Sequence, residues 1–317
     1  MRTIAVASTL FFAMTPLNAE NWPHWRGPLA TGVTSEASLP ERWSDTENIA
    51  WKTPLRGLGI SSPIVWGDRV FITSQIGRGA RRPGNHPSLV QGGNPADFGE
   101  RALGGSAAAS TGEKISFLVT ALSRNDGKKL WEHELAAEGP LAEVHDKHNL
   151  ASSSPVTDGQ RVFAWFGSGQ IVALDMTGKV VWSRHLGRDY APFDINWGHS
   201  SSPAIHGDTL ILVCYHNPTA HLMALDTASG KTRWRVERGR DINSYSTPLI
   251  VSTGGTAEVV VNSSEGVSGH DPSNGRLLWH IQETNRFPIP MPVAHEGVIY
   301  TTRGYRSSPY FAMRPGG

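Results

Sequence analysis

The chain has 317 residues, 38% of them hydrophobic, with 29 basic against 28 acidic side chains and a single cysteine. That length can bury a sizeable core, and one repeat architecture accounts for it better than several unrelated domains. The balanced charge excludes the clustered basic surface that nucleic-acid binding needs, the short Arg78/Arg81/Arg82 group reading as a solvated loop, and the lone Cys214 excludes an internal disulfide framework.

Residues 1–19 read as an export signal. Arg2 supplies charge, Ile4 to Met14 is an apolar stretch too short to span a bilayer, and Leu17-Asn18-Ala19 ends on a small residue. The expected mature chain is periplasmic or secreted, without a transmembrane segment. Residues 20–47, including Trp22-Pro23-His24-Trp25-Arg26-Gly27-Pro28, are rich in Trp, Pro and Gly but lack a sustained period, so an irregular N-terminal strap over one face of the next domain is expected. That domain spans 48–317 and begins with Asn48-Ile49-Ala50-Trp51-Lys52, which matches the Trp strand closing each later unit.

Four units follow with one internal order. Each starts on Ser-Pro or Thr-Pro (Pro63, Pro155, Pro203, Pro248), runs through short stretches rich in Val, Ile, Phe and Tyr, and ends on a turn in which a Gly stands four residues before a Trp. The pairs are Gly127/Trp131, Gly178/Trp182, Gly230/Trp234 and Gly275/Trp279, with Asp175, Asp226 and Asp271 ahead of the last three. Pro155, Pro203, Pro248 and Pro292 recur at intervals of 48, 45 and 44 residues. The first unit is stretched by a Gly-, Pro- and Ala-rich insertion at about 75–114. A fifth unit starts near Pro292 and stops at Gly317 before any Asp-Gly-Trp turn, so C-terminal truncation is expected.

The apolar runs (Arg69–Thr73, Arg161–Trp165, Glu258–Val261, Gly297–Tyr300) are strand-length and β-branched, and Gly67-Asp68, Asp158-Gly159, Gly207-Asp208 and Asn274-Gly275 punctuate them as hairpin turns. Four short antiparallel strands in a unit of this length make a β-propeller blade. The expected fold is therefore all-β. In it, each Asp binds turn amides, each Gly supplies a positive φ, and Trp51, Trp131, Trp182, Trp234 and Trp279 lay indoles against the next blade. Cys214, within Ile211–Tyr215, is expected as a buried thiol.

The phrase Ala224-Leu225-Asp226, Gly230-Lys231, Trp234 and its copies resembles the repeat of the PQQ-binding-like β-propeller family, over about residues 48 to 313. The Trp22–Pro28 segment with Gly59-Ile60-Ser61-Ser62-Pro63 is similar to a secreted bacterial branch without an assigned reaction. The resemblance implies seven or eight blades, of which about five stand here. It also implies one of two functional classes: quinoprotein dehydrogenases, which hold PQQ and calcium on the axis, or the outer-membrane assembly lipoprotein, a noncatalytic scaffold that binds proteins.

Neither the vicinal cysteine pair of several such dehydrogenases nor a cluster of Asp, Glu and Asn suited to calcium stands in the sequence. No cofactor is therefore expected, PQQ with Ca²⁺ belonging only to the dehydrogenase alternative. A glycan-binding or glycan-processing role is a further alternative, and it would require exposed tryptophans or two facing carboxylates. The candidate ligand site is a ring just ahead of the Ser-Pro and Thr-Pro starts: His145, His148 and Asn149; Asn196, Trp197 and His199; Asn243 and Tyr245. If those starts form the innermost strands, this ring lines one mouth of the axis, where it could grip a protein or a small ligand. The blander reading makes them satisfied loop residues, and His145 with His148 lacks a third ligand for zinc.

Overall fold

The computed structural model describes residues 20–37, 39–80, 113–144, 148–195, 197–253, 255–285, 287–304 and 309–315. The expected export signal, residues 81–112 of the expected insertion, and Arg81 and Arg82 lie outside them.

Five antiparallel sheets follow one another along the chain. Blade 1 contains β1 (Ile64–Trp66), β2 (Arg69–Ile76), β3 (Ser116–Ser123) and β4 (Lys129–Ala136). Blade 2 contains β5 (Val156–Thr157), β6 (Arg161–Trp165), β7 (Gln170–Asp175) and β8 (Val180–His185), after which one short helix, α1 (Leu186–Asp189), leaves the sheet. Blade 3 contains β9 (Ala204–His206), β10 (Thr209–Cys214), β11 (Ala220–Asp226) and β12 (Thr232–Gly239). Blade 4 contains β13 (Leu249–Thr253), β14 (Thr256–Ser263), β15 (Gly266–His270) and β16 (Leu277–Gln282). Blade 5 has three described strands, β17 (Val293–His295), β18 (Val298–Thr302) and β19 (Tyr310–Met313). Strand order within every sheet follows the sequence. The fold is thus an all-β, incomplete propeller, and among the described residues no helix is long and apolar enough to cross a membrane.

Burial explains the sequence pattern strand by strand. Second and third strands are covered on both faces by neighbouring blades, so β7 and β10 are apolar without alternation, whereas the outer β4 and β8 are mostly half-buried or exposed. The core accordingly lies between blades. Phe71 and Phe117 of blade 1 pack with Val162 and Val172 of blade 2, and Phe163 and Trp165 with Leu210 and Met223 of blade 3. Ile211 and Leu222 then meet Val259 and Val261 of blade 4.

The Asp-Gly-Trp segment makes these junctions. Asp175 Oδ1 accepts the Thr177 and Lys179 amides at 2.8 and 3.0 Å, and Asp226 and Asp271 accept the Ser229 and Ser273 amides at 2.8 Å. The glycines sit at φ +69° (Gly127), +87° (Gly178), +68° (Gly230) and +76° (Gly275), the left-handed region that glycine enters without cost. Over each lies the indole of the preceding outer segment: Trp51 over Gly127, Trp131 over Gly178, Trp182 over Gly230, Trp234 over Gly275. Each indole N–H donates to a carbonyl of the same turn, at Arg124, Met176, Thr227 and Pro272, at 2.8 to 2.9 Å. A register shift at the same point of every complete blade accommodates the turn.

Trp279 departs from this rule. The ring lies over Gly269 of its own sheet, and its N–H donates to the buried Glu258 carboxylate at 2.7 Å.

Candidate functional site at the axial mouth

The Ser-Pro and Thr-Pro strands are innermost and touch one another in succession around the axis. A hydrogen-bonded relay ties their starts. The Ser62 amide donates to Ser154 Oγ at 2.9 Å, the Ser154 amide to Ser202 Oγ at 2.9 Å, and the Ser202 amide to Thr247 Oγ1 at 3.0 Å. Small hydroxyl side chains recur there because each must satisfy the neighbouring strand's first amide where no sheet partner exists.

The strap enters the axis rather than covering a face. Trp22 pairs with Val65 on the free inner edge of β1 (2.8 and 2.9 Å), Pro23 O accepts the Thr157 amide at 2.9 Å, and Ala30 is buried with Leu249, Val251 and Met291. A cavity of about 350 Å³ remains between the strap residues His24, Trp25 and Leu29 and the inner-strand residues Ile205, Pro248 and Ile250.

Just ahead of the inner-strand starts, the structure brings together several of the expected mouth residues. His148 Nε2 donates to the His199 carbonyl at 3.1 Å, and its Nδ1 lies 2.9 Å from the Ser152 hydroxyl. The Ser200 hydroxyl donates to the Tyr245 carbonyl at 3.4 Å, and the Tyr245 amide donates to the Pro288 carbonyl at 3.1 Å. The strand lead-ins are therefore linked from blade 2 through blade 5. Trp197 is half-buried, with its ring edge against Phe287 at 6.1 Å. Asn149 is buried and spent on Leu58 O and the Ala151 amide, and the Asn243 backbone is paired with Ser264. His145 and Asn196 lie outside the described residues.

Beneath this rim is a cluster that the repeat pattern does not reveal. Trp165, Phe193, His199, His216, His221 and Tyr190 stack in succession where blade 2 meets blade 3, with ring centroids 4.0 to 6.2 Å apart. Burial holds His199 well below the ordinary imidazole range, helped by His216 and His148, and pushes His221 down to about 4. These rings are neutral near pH 7. Arg303, also absent from the expected set, is buried and bonds the Asn262 side chain and the Ser263 carbonyl. His216 and His221 are polar residues following and flanking an apolar strand run, a signal present in the sequence but out of phase with the repeat.

The family profile for outer membrane protein assembly factor BamB matches residues 116–303, from the third strand of blade 1 into blade 5. The chain belongs to this family of PQQ-like propellers. BamB from Moraxella catarrhalis aligns over 65% of this chain and 56% of its own, at 17% identity and a TM-score of 0.42. Two quinohemoprotein alcohol dehydrogenases also align: that of Comamonas testosteroni (59% of this chain, 38% of its own, 13% identity, TM-score 0.41) and that of Pseudomonas putida HK5 (74%, 36%, 14%, 0.46). The chain spans less than two thirds of the length of each of these solved proteins. A search of the curated proteins finds no match.

Family membership makes a calcium–quinone pair the group to test against the axis. Calcium takes six to eight hard oxygen ligands, several of them carboxylate. Among the described residues no three His, Cys, Asp or Glu side chains converge as a metal site, and the mouth presents imidazole, amide, indole and phenol groups. The described residues do not fit that pair.

Proposed function

We propose that the protein is a noncatalytic propeller scaffold of the cell envelope, periplasmic or secreted, that binds a polypeptide at the axial mouth. The observation that carries this reading is the Trp197–Phe287 pair, which brings together the lead-ins of blades 3 and 5, with the His148 ring against the adjacent Gly198 and all three side chains half-buried. An aromatic face ringed by neutral donors and acceptors suits peptide groups and apolar side chains, since it exacts no desolvation of fixed charge. The name of the matched family, an assembly factor, supports the same direction. The glycan alternative gains little, because Trp51, Trp131, Trp182 and Trp234 are committed to blade junctions.

The test is site-specific photocrosslinking in the native envelope. A photoreactive residue at Trp197 should give a discrete protein adduct, and one at Val181 on the outer strand of blade 2 should not. Adducts of equal yield from both positions, or none from Trp197, would refute the reading. Adding PQQ and Ca²⁺ with alcohols or sugars is expected to leave an artificial electron acceptor unreduced.

A further inference from the structure

The histidine cluster under the mouth has a construction that stability alone does not call for. His199, His216 and His221 are each 1% exposed. Neither ring nitrogen of His199 or His221 reaches hydrogen-bond geometry, although the Ser201 and Thr219 backbones lie beside them, and His216 bonds only through Nδ1, to Asn217 O at 2.9 Å. Trp165 Nε1 is likewise buried without a partner. Such groups cost stability relative to apolar residues of the same shape.

What the rings hold is one segment. Phe193 stacks on His216 at 4.0 Å and meets His199 edge-on at 5.1 Å, while Tyr190 meets His221 at 5.3 Å. The same segment is pinned at Asp194, which bridges Asn217, and it continues to Trp197. We propose that the box of His199, His216 and His221 is an acid-released latch: neutral, it clamps Tyr190 and Phe193 and so fixes Trp197 at the mouth, and protonated, it releases them.

The charges around the box favour release once protons enter. His148 faces His199 from the lead-in of blade 2, and Arg235 of β12 faces His221, lying over the Tyr190 ring at 4.5 Å and pairing with Glu237. Cys214 and Glu237 flank His221 across the sheet. Backbone carbonyl contacts at Asn217, Ser201 and Thr219 favour the protonated rings, and Asp194 is the charged group that adds to this, at His216; its own backbone lies on the segment to be released. The imidazoles repel one another when charged, His216 opposing protonation of both His199 and His221. All three are held below the ordinary value of 6.5, so the open form binds protons first. Closure is complete above that value and is lost as pH falls from it toward about 4, where His221 titrates in the closed state.

Cys214 reports the opening. It is the only cysteine of the chain, fully buried in the same cluster, and opposite His221 in the register of β10 and β11. The rate of its reaction with 4,4′-dithiodipyridine, relative to unfolded protein at the same pH, should rise at least about tenfold between about pH 6.5 and about pH 4.5 with the far-ultraviolet circular dichroism unchanged. A His199→Phe/His221→Phe variant, which removes no hydrogen bond, should show a flat profile. Constant protection in the wild type, an unchanged fall in the variant, or loss of protection together with all secondary structure would each overturn the latch. Should the variant not fold, imidazole carbon NMR of the wild type decides, because titration of these rings must coincide with Cys214 exposure. The latch rests on the mouth reading only for its consequence: failure of crosslinking at Trp197 would leave the Cys214 profile intact.

Discussion

The Ser154 amide donates to the hydroxyl oxygen of Ser202, 2.9 Å away on the next blade, and both residues are 4% exposed. Inner strands of neighbouring blades share no sheet ladder, so this bond does the work that a ladder does within a blade. Ser202→Ala leaves the Ser154 N–H buried without an acceptor, a loss of about 1–3 kcal/mol. Ser202→Thr keeps the hydroxyl and should recover most of it. Urea denaturation of the two variants checks the order.

Gly230 and Gly207 separate the two demands made on turn glycines. Both have positive φ, +68° and +59°, but a Cβ at Gly230 would stand 2.6 Å from the Trp182 ring, whereas at Gly207 it would meet nothing within 4 Å. Gly207→Ala should cost about 1–2 kcal/mol from the left-handed backbone alone. Gly230→Ala should cost about 1–3 kcal/mol more, because the indole must leave the turn or strain against it. Equal denaturation midpoints for the two variants would contradict the docking role of Trp182.

The repeat was legible because the constraints that build a blade junction act on residue identity. A ring closing over a left-handed turn demands Gly230 beneath Trp182, and the turn amides demand an oxygen at Asp226, so both recur at fixed offsets. The innermost place of the Ser-Pro strands was open in the sequence, because the order of strands in a sheet can be read from either edge, and the contacts between β1, β5, β9 and β13 decide it. The path of the strap was not legible either, since its polar hold on the inner strands rests largely on backbone hydrogen bonds, between Trp22 and Val65 and from the Thr157 amide to Pro23 O, which any residue type can make. The mouth was legible only as a neighbourhood: position told that His148, His199 and Tyr245 would converge, but burial, which decides whether each is presented or consumed, depends on loops without a period. His216 and His221 escaped because their partners, Phe193 and Tyr190, come from a neighbouring blade's connection.

Asp226 offers a pH signature separate from that of the histidines. Its carboxylate bonds Arg233 at 2.7 Å and the Ser229 amide and hydroxyl at 2.8 and 2.7 Å, and these, Arg233 foremost, hold its carboxyl well below the ordinary 3.8. Its contribution is therefore full above that value and is lost as pH falls below it toward the folded-state value. Asp226→Asn preserves an acceptor for Ser229 but not the charge facing Arg233, and should cost less than about 1 kcal/mol at neutral pH. The difference between wild type and variant should stay constant from about pH 7 to about pH 5 and shrink below about pH 4. A difference that shrank between pH 6.5 and 4.5, the range of the histidines, would assign the effect elsewhere.

Blade 5 carries a turn whose sequence is not the best for its shape. Glu296 and Gly297, between β17 and β18, have φ of +48° and +72°, the pair of positive values that defines a type I′ hairpin. That geometry favours Asn-Gly, and a glutamate in the left-handed region is strained at its Cβ. Little among the described residues offsets the strain, since the Glu296 side chain is 84% exposed and its ion-pair contact there, with the exposed His295, is 3.7 Å long. Glu296→Asn should therefore stabilise the β17–β18 hairpin by about 0.5–1 kcal/mol, with Glu296→Gly close behind but reduced by the added freedom of the unfolded chain. Amide exchange of Val298 to Thr302 checks this directly: slower exchange in the asparagine variant is the expected outcome, and unchanged or faster exchange would mean that the turn does not limit the stability of this blade.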